Sequence, residues 1–268
     1  MASPAPAGGP EEPTREADGR AESGRAEVAE GAVTAAFLQA VGLEMGAGPL
    51  TAGALARAVA RLLPVDAVGL STLVDDLRLP LGASTAAAER AEELQTTLGD
   101  GPCLAAARNR APCEADLPDL LRRWPVYGEE LTRRTPYRST ASVPIRVPDG
   151  QIFAALDLYS EEPSMAGRLD LDAVSTDIGA SLGALLDLCM QPVRAAGADD
   201  VVPEWYEDVT ARRQDVWVAI GMVMGRRHQP SDDALSLLRG YAYSHDRSLD
   251  EVAADLIQGR VEVGDLEG

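Results

Sequence analysis

The chain has 268 residues, 46% of them hydrophobic, which is material for one or two folded domains with real cores. A net charge of −19 excludes a general nucleic-acid coat and a polybasic membrane-surface binder. All 24 cationic side chains are arginines, a coding bias of GC-rich genomes that says nothing about chemistry.

Residues 1–32 are Ala, Gly, Pro, Glu and Ser with scattered Arg, a composition that cannot build a core and reads as a disordered tail. The spacing predicts a helix over 51–63, ended by Pro64. Strands follow over 66–74 and 77–84, joined across Asp75 and Asp76, and then a second helix over 86–98. Gly99-Asp100-Gly101-Pro102 is a turn that opens a helix, with Pro at or near the first helical position. Residues 114–117 read as extended, and 118–134 as an amphipathic helix broken at Trp124-Pro125. Strands over 139–147 and 152–160 flank Pro148-Asp149-Gly150, where Pro presets φ and Gly supplies positive φ. A helix over 171–188 carries Val174, Ile178, Leu182 and Leu185 at helical spacing, and 191–203 reads as a linker. This order predicts an α/β or α+β domain over 33–190, with a central antiparallel sheet and helices packed on it.

Residues 204–262 read as three short helices. The first carries Val209, Val216, Ile220 and Val223, with Gly221 and Gly225 one turn apart. A glycine inside a helix costs about 1 kcal/mol relative to alanine, so two of them suggest a backbone passing close by. The second begins after Pro230, with Ser231 as N-cap, acids in its first turn, and Ala234, Leu237, Leu238 and Tyr241 as its buried face. The third opens on the capping box Ser248-Leu249-Asp250-Glu251 and carries an apolar stripe through Leu249, Val252, Ala253, Leu256 and Ile257. Val209, Val216 and Val223 recur every seven residues, with Trp217 and Met224 as a second stripe beside them. Either a second chain's helix or the chain's own larger domain covers that excess of apolar surface.

The patterns Val216-x-x-Ala219-x-Gly221-x-x-Met224, Ser231-x-x-Ala234-x-x-Leu237-Leu238-Arg239 and Arg247-x-Leu249-x-x-Val252-Ala253 resemble the ANTAR domain. That family is a three-helix module of bacterial regulators that binds paired RNA stem-loops and prevents transcription termination. Where the family often has a lysine between the Ala and the Gly of the first helix, this chain has Ile220. Residues 33–190 are similar to the GAF domain of actinobacterial-type GAF–ANTAR regulators. The resemblance rests on Gly101-Pro102-Cys103-Leu104, Asp116-Leu117, Arg123-Trp124-Pro125, Arg138-Ser139, Ser142-Val143-Pro144 and Leu156-Asp157-Leu158-Tyr159-Ser160. It implies a sensory module that takes a small ligand, of unknown identity, or serves as a dimer platform.

The resemblance implies tandem stem-loops of nascent RNA as partner, and the placement of Arg226, Arg227, His228, Ser231, Arg239, Tyr243, His245 and Arg247 at the edges of the motif makes them the candidate binding face; the two apolar stripes, Val209, Val216 and Val223 beside Trp217 and Met224, point to a homodimer. Residues 204–268 nonetheless hold seven arginines against thirteen acids, a net charge of −6, where phosphate neutralisation supplies much of RNA affinity. That balance and Ile220 support a rival reading, a regulator that acts through protein contacts and has lost RNA binding.

The three cysteines, Cys103, Cys113 and Cys189, are odd in number and lack metal spacing, which fits a reducing cytoplasm. No signal peptide is expected, nor any run long enough to span a bilayer. Cys103 sits at a helix start, where the dipole lowers a thiol pKa and makes a redox role conceivable. Packing is the preferred reading, because no basic neighbour is evident in the sequence. The two histidines lie away from any nucleophile motif, so no enzyme and no metal site is expected.

Overall fold

The computed structural model describes residues 32–74, 77–146, 150–195 and 204–267. The tail expected over 1–32, apart from residue 32, and residues 196–203 of the expected linker lie outside them. Five strands form one antiparallel sheet: β1 (Ala67–Val74), β2 (Leu77–Ala83), β3 (Cys113–Ala115), β4 (Ser139–Arg146) and β5 (Ile152–Ser160), in the order β2-β1-β5-β4-β3. Register is set by apolar pairs such as Leu70 opposite Leu156 and Ala141 opposite Leu158. A slip of one residue would turn every such side chain to the other face.

Both faces of the sheet are covered. On one side lie α1 (32–45), α2 (Ala52–Leu62) and a long helix built from α7 (Leu171–Ala173), a π-helical segment (Val174–Ile178) and α8 (Gly179–Ala195). The buried Val68, Leu70, Val143, Ile145, Leu156 and Leu158 face this layer. On the other side lie α3 (Ala86–Leu98), α4 (Pro102–Asn109), α5 (Leu117–Arg123) and α6 (Pro125–Arg134). Local chemistry sets the starts: Thr51, Thr85 and Asp116 accept from the N–H groups of Ala54, Ala88 and Asp119 at 3.1, 3.1 and 2.9 Å.

The expected element order lacked α1 and the edge strand β3. The stretch expected to be extended over 114–117 is divided: Cys113–Ala115 pair with β4, and Asp116 turns out to cap α5. Its side chain satisfies a helix N–H, which ends the strand. Residues 191–195 continue α8.

The C-terminal part forms three helices, α9 (Glu204–Arg227), α10 (Ser231–Ser244) and α11 (Leu249–Ile257), followed by a 3₁₀ turn (Val263–Glu267). Val216, Ala219, Ile220, Val223, Leu238, Val252 and Leu256 are buried together. The capping box is present in both directions: Glu251 N–H donates to Ser248 Oγ at 3.2 Å and Ser248 N–H to Glu251 Oε2 at 2.9 Å.

Four details differ from expectation. Pro230 takes the N-cap position of α10 and Ser231 is the first helical residue, since Pro already holds the extended backbone that a cap requires. The buried stripe of α10 is Ala234, Leu235, Leu238 and Ala242, with Leu237 and Tyr241 half-buried. Ile257 is exposed, one position beyond the packed stripe. Beside Gly221 and Gly225 there is open space, so no backbone of this chain passes close to either among the described residues. Also among the described residues, no helix is long and apolar enough to cross a membrane.

Candidate functional site

Strand alternation sends apolar side chains to one face of the sheet and a polar set to the other. That second set is as buried as the first. Arg78 of β2 is fully enclosed, and its guanidinium is the centre of a cluster. Nη2 donates to Asp157 Oδ2 at 2.7 Å and to the Glu92 carboxylate. Nη1 donates to the Glu92 carbonyl at 2.8 Å and to Thr96 Oγ1 at 3.3 Å. Nε donates to Cys103 Sγ at 3.0 Å. Tyr159 O–H donates to Glu92 Oε1 at 2.5 Å, Gln95 Nε2 donates to Tyr159 Oη at 3.3 Å, and Cys103 N–H donates to Gln95 Oε1 at 3.0 Å. Ser142 O–H donates to the remaining oxygen of Asp157.

A buried charge is tolerated only when it is paired and hydrogen-bonded, and here nearly every polar atom has a partner. Space for the cluster comes from glycine. A Cβ on Gly69 would lie 2.2 Å from Glu92 Oε1, and one on Gly101 2.7 Å from Gln95 Oε1.

Two carboxyls share one guanidinium, so a proton belongs in the cluster. Burial, with Asp157 adding to it, pushes the Glu92 carboxyl up to about 8. Burial works against the Arg78 charge, yet Cys103, Glu92 and Asp157 together raise it well above its ordinary value. Burial pushes the Cys103 thiol up to about 12, so the lowering expected at a helix start does not occur. The basic neighbour that the sequence did not reveal is Arg78, brought in from β2. Cys103 and Cys113 are both free and buried, and the Cys189 side chain lies outside the described residues. Among the described residues no cluster of His, Cys, Asp and Glu could hold a metal ion.

Residues 51–185 match the family model described as GAF domain. The chain belongs to the GAF domain family. Two solved structures share partial likeness with it. A type II free methionine-R-sulfoxide reductase from Thermoplasma acidophilum is 17% identical over 51% of this chain and 89% of that one, with a TM-score of 0.37. The GAF domain region of a Geobacter sulfurreducens PCA protein is 15% identical over 50% of this chain and 89% of that one, with a TM-score of 0.38. No curated protein matches the chain.

The three-helix unit packs on β2 and α3 of the GAF domain, and Leu79 of β2 is buried in its core. The candidate RNA residues fall into two groups at opposite ends of α10, which at 14 residues is about 21 Å long. At the α9–α10 joint Arg226 and His228 are exposed, His228 with φ of 56°, while Arg227 Nη2 donates to the Val263 carbonyl at 3.0 Å. Ser231 lies beside them, its hydroxyl 3.4 Å from Asp232 Oδ1.

At the α10–α11 joint Tyr243 is exposed, and the His245 ring stacks on Tyr241 with centroids 3.9 Å apart. Arg247 pairs with Asp255 and Glu251 and, with Arg260, holds the Asp255 carboxyl below its usual range. Arg239 joins neither group. It points at α3, where its Nε donates to the Thr96 carbonyl at 3.3 Å and its guanidinium covers Gly99.

Of the expected dimer stripe, Val216 and Val223 are fully buried in the unit's own core, because an amphipathic helix turns its best apolar face inward first. Trp217 and Met224 remain 39% and 36% exposed, and the Val209 side chain lies outside the described residues.

Proposed function

We propose that the chain is a cytoplasmic signal-responsive antitermination regulator. Its three-helix unit acts as an ANTAR domain that binds tandem RNA stem-loops, and its GAF domain senses a ligand or holds a dimer. The observation that carries the reading is the placement of exposed Arg226 and His228 at one joint of the three-helix unit, with Tyr243, His245 and Arg247 at the other. RNA loops are read by stacking as well as by charge, which Tyr243 and the arginine planes supply. RNA held in one fold would leave the terminator hairpin less populated. The strongly shifted groups Glu92, Cys103, Tyr127 and Tyr159 are sealed in the interior, which favours a role without catalysis.

The test is binding of tandem-hairpin RNA by the full chain, against scrambled RNA. Arg226→Ala should weaken binding with unchanged circular dichroism and lower the salt slope by about 0.7. Equal binding of both RNAs, or full affinity in Arg226→Ala combined with Arg247→Ala, would remove the assignment. Exposed Trp217, Val218, Met222 and Met224 beside a net charge of −6 favour the second reading, regulation through protein contacts alone, and absence of any RNA binding would select it.

A further inference from the structure

Among the described residues, the three-helix unit is fastened to the GAF domain by an apolar insertion, a seat of hydrogen bonds and an ion-pair group. Leu79 enters its core. The C-terminal end of α3 forms a seat: Leu249 N–H donates to Thr97 Oγ1 at 3.2 Å, Arg239 Nε donates to the Thr96 carbonyl, and the Arg239 guanidinium lies where a Gly99 side chain would be, 2.5 Å from its Cβ position. Gly99 has φ of 67°, a backbone conformation that favours glycine, and a Cβ there would have to displace the Arg239 guanidinium. Finally Asp246, at the α10–α11 joint, pairs with Arg133 at 3.3 Å and with Arg134 of α6.

These contacts cover part of the candidate RNA face. Arg239 is taken up by the seat. Tyr243, Arg247 and Ser248 line a cleft of about 100 Å³ against Arg90, Thr97 and Arg134 of the GAF domain. That is below the roughly 150 Å³ of a cavity that encloses a benzene ring, so the cleft does not enclose a nucleobase, while Tyr243 at its edge stays exposed. Thr96 touches both sides: its carbonyl meets Arg239, while its hydroxyl accepts from Arg78 in the buried cluster.

We propose that this docking is a clasp that withholds the Arg239–Arg247 face from RNA, and that α3 carries its control from the cluster around Arg78 and Glu92 to the seat at Thr96–Gly99. The proposal rests on the RNA-binding reading above. The fastening suits a device that opens: Asp246 is 69% exposed, and exposed ion pairs contribute little. A ligand on the GAF domain need only favour one position of α3 to shift the population.

The test uses the full chain. Asp246→Arg sets three arginines face to face, and Asp246→Asn removes the pairing while keeping a residue that tolerates the positive φ of 56°. Both should speed hydrogen exchange of the Leu249 amide. If the clasp is closed in nine molecules of ten, opening it fully should tighten tandem-hairpin RNA binding about tenfold; Asp246→Asn, which removes only exposed pairs, should gain part of that, and Asp246→Arg, which adds repulsion, should gain more. Arg134→Asp in the Asp246→Arg protein should restore slow exchange and the lower affinity. Glu92→Gln should alter Leu249 exchange across the width of α3, and unchanged exchange would remove α3 as the route. Unchanged exchange in both Asp246 variants, or open variants binding RNA no better than a wild type that does bind it, would overturn the clasp and leave the RNA reading intact. Failure of every form to bind RNA, with Leu249 exchange raised, would instead overturn the RNA reading and the inhibitory role with it.

Discussion

At the scale of single residues, Glu92 gives the sharpest expectation. Burial raises its carboxyl from 4.5 to about 8, so the folded chain keeps a proton that the unfolded chain has released. Stability from this group is fully present below pH 4.5 and falls as pH rises from there to about 8. Glu92→Gln imitates the protonated form and does not titrate. Its melting temperature relative to wild type should therefore climb steadily between pH 5 and 8. A difference that stays flat across that range would show that Glu92 does not take up the proton.

The cluster around Arg78 was hidden in the sequence although its signature was present. Arg78 lies between Leu77 and Leu79, and Asp157 between Leu156 and Leu158, each a charge inside an alternating strand. An alternating strand normally turns its polar residues to water. Only the second helical layer, α3 to α6, makes that face interior, and a helix 14 residues along the chain brings Glu92 to Arg78. The capping box at Ser248, by contrast, was legible because its partners sit three residues apart, a range at which sequence dictates geometry.

At the scale of elements, the sheet and its flanking helices could be read because turn chemistry and apolar period agree there. β5 begins and ends where its alternation does, and Pro64 and Pro125 stop or divide helices as their rings require. The π-helical segment had no readable signal, and β3 is too short to show a period. The glycines separate two kinds of packing. A Cβ on Gly183 would sit 2.6 Å from the Arg146 carbonyl oxygen, so α8 lies directly on the backbone of β4. Gly183→Ala must push a helix off the sheet, and denaturant titration should register a loss of about 1–3 kcal/mol. Gly225 meets open space, and Gly225→Ala should instead raise the stability of the unfolding chain by up to ~1 kcal/mol. A loss at Gly225 equal to that at Gly183 would mean that something outside the chain packs there.

At the scale of the whole molecule, that last possibility follows from how α9 is used. Its inner face, through Val216, Ala219, Ile220 and Val223, is fully committed to the three-helix core. Its outer face leaves Trp217, Val218, Met222 and Met224 exposed, with Gly221 and Gly225 between them on adjoining stripes. Spacings of three and four place 217, 221 and 224 on one line and 218, 222 and 225 on the next. Small residues flanked by large apolar ones suit a second helix, and an isologous contact would bring the same helix of a second copy. On the RNA-binding reading proposed above, such a dimer would set two three-helix units side by side, matched to two similar hairpins. The clasp does not use Trp217 or Met224, so assembly and clasp are separable. In sedimentation velocity the full chain should run as a dimer and Trp217→Glu with Met224→Glu as a monomer. The monomeric variant should keep slow Leu249 exchange and lose affinity for paired hairpins far more than for a single one. A mass that does not change on mutation would place the dimer contact elsewhere, or show that the chain works alone.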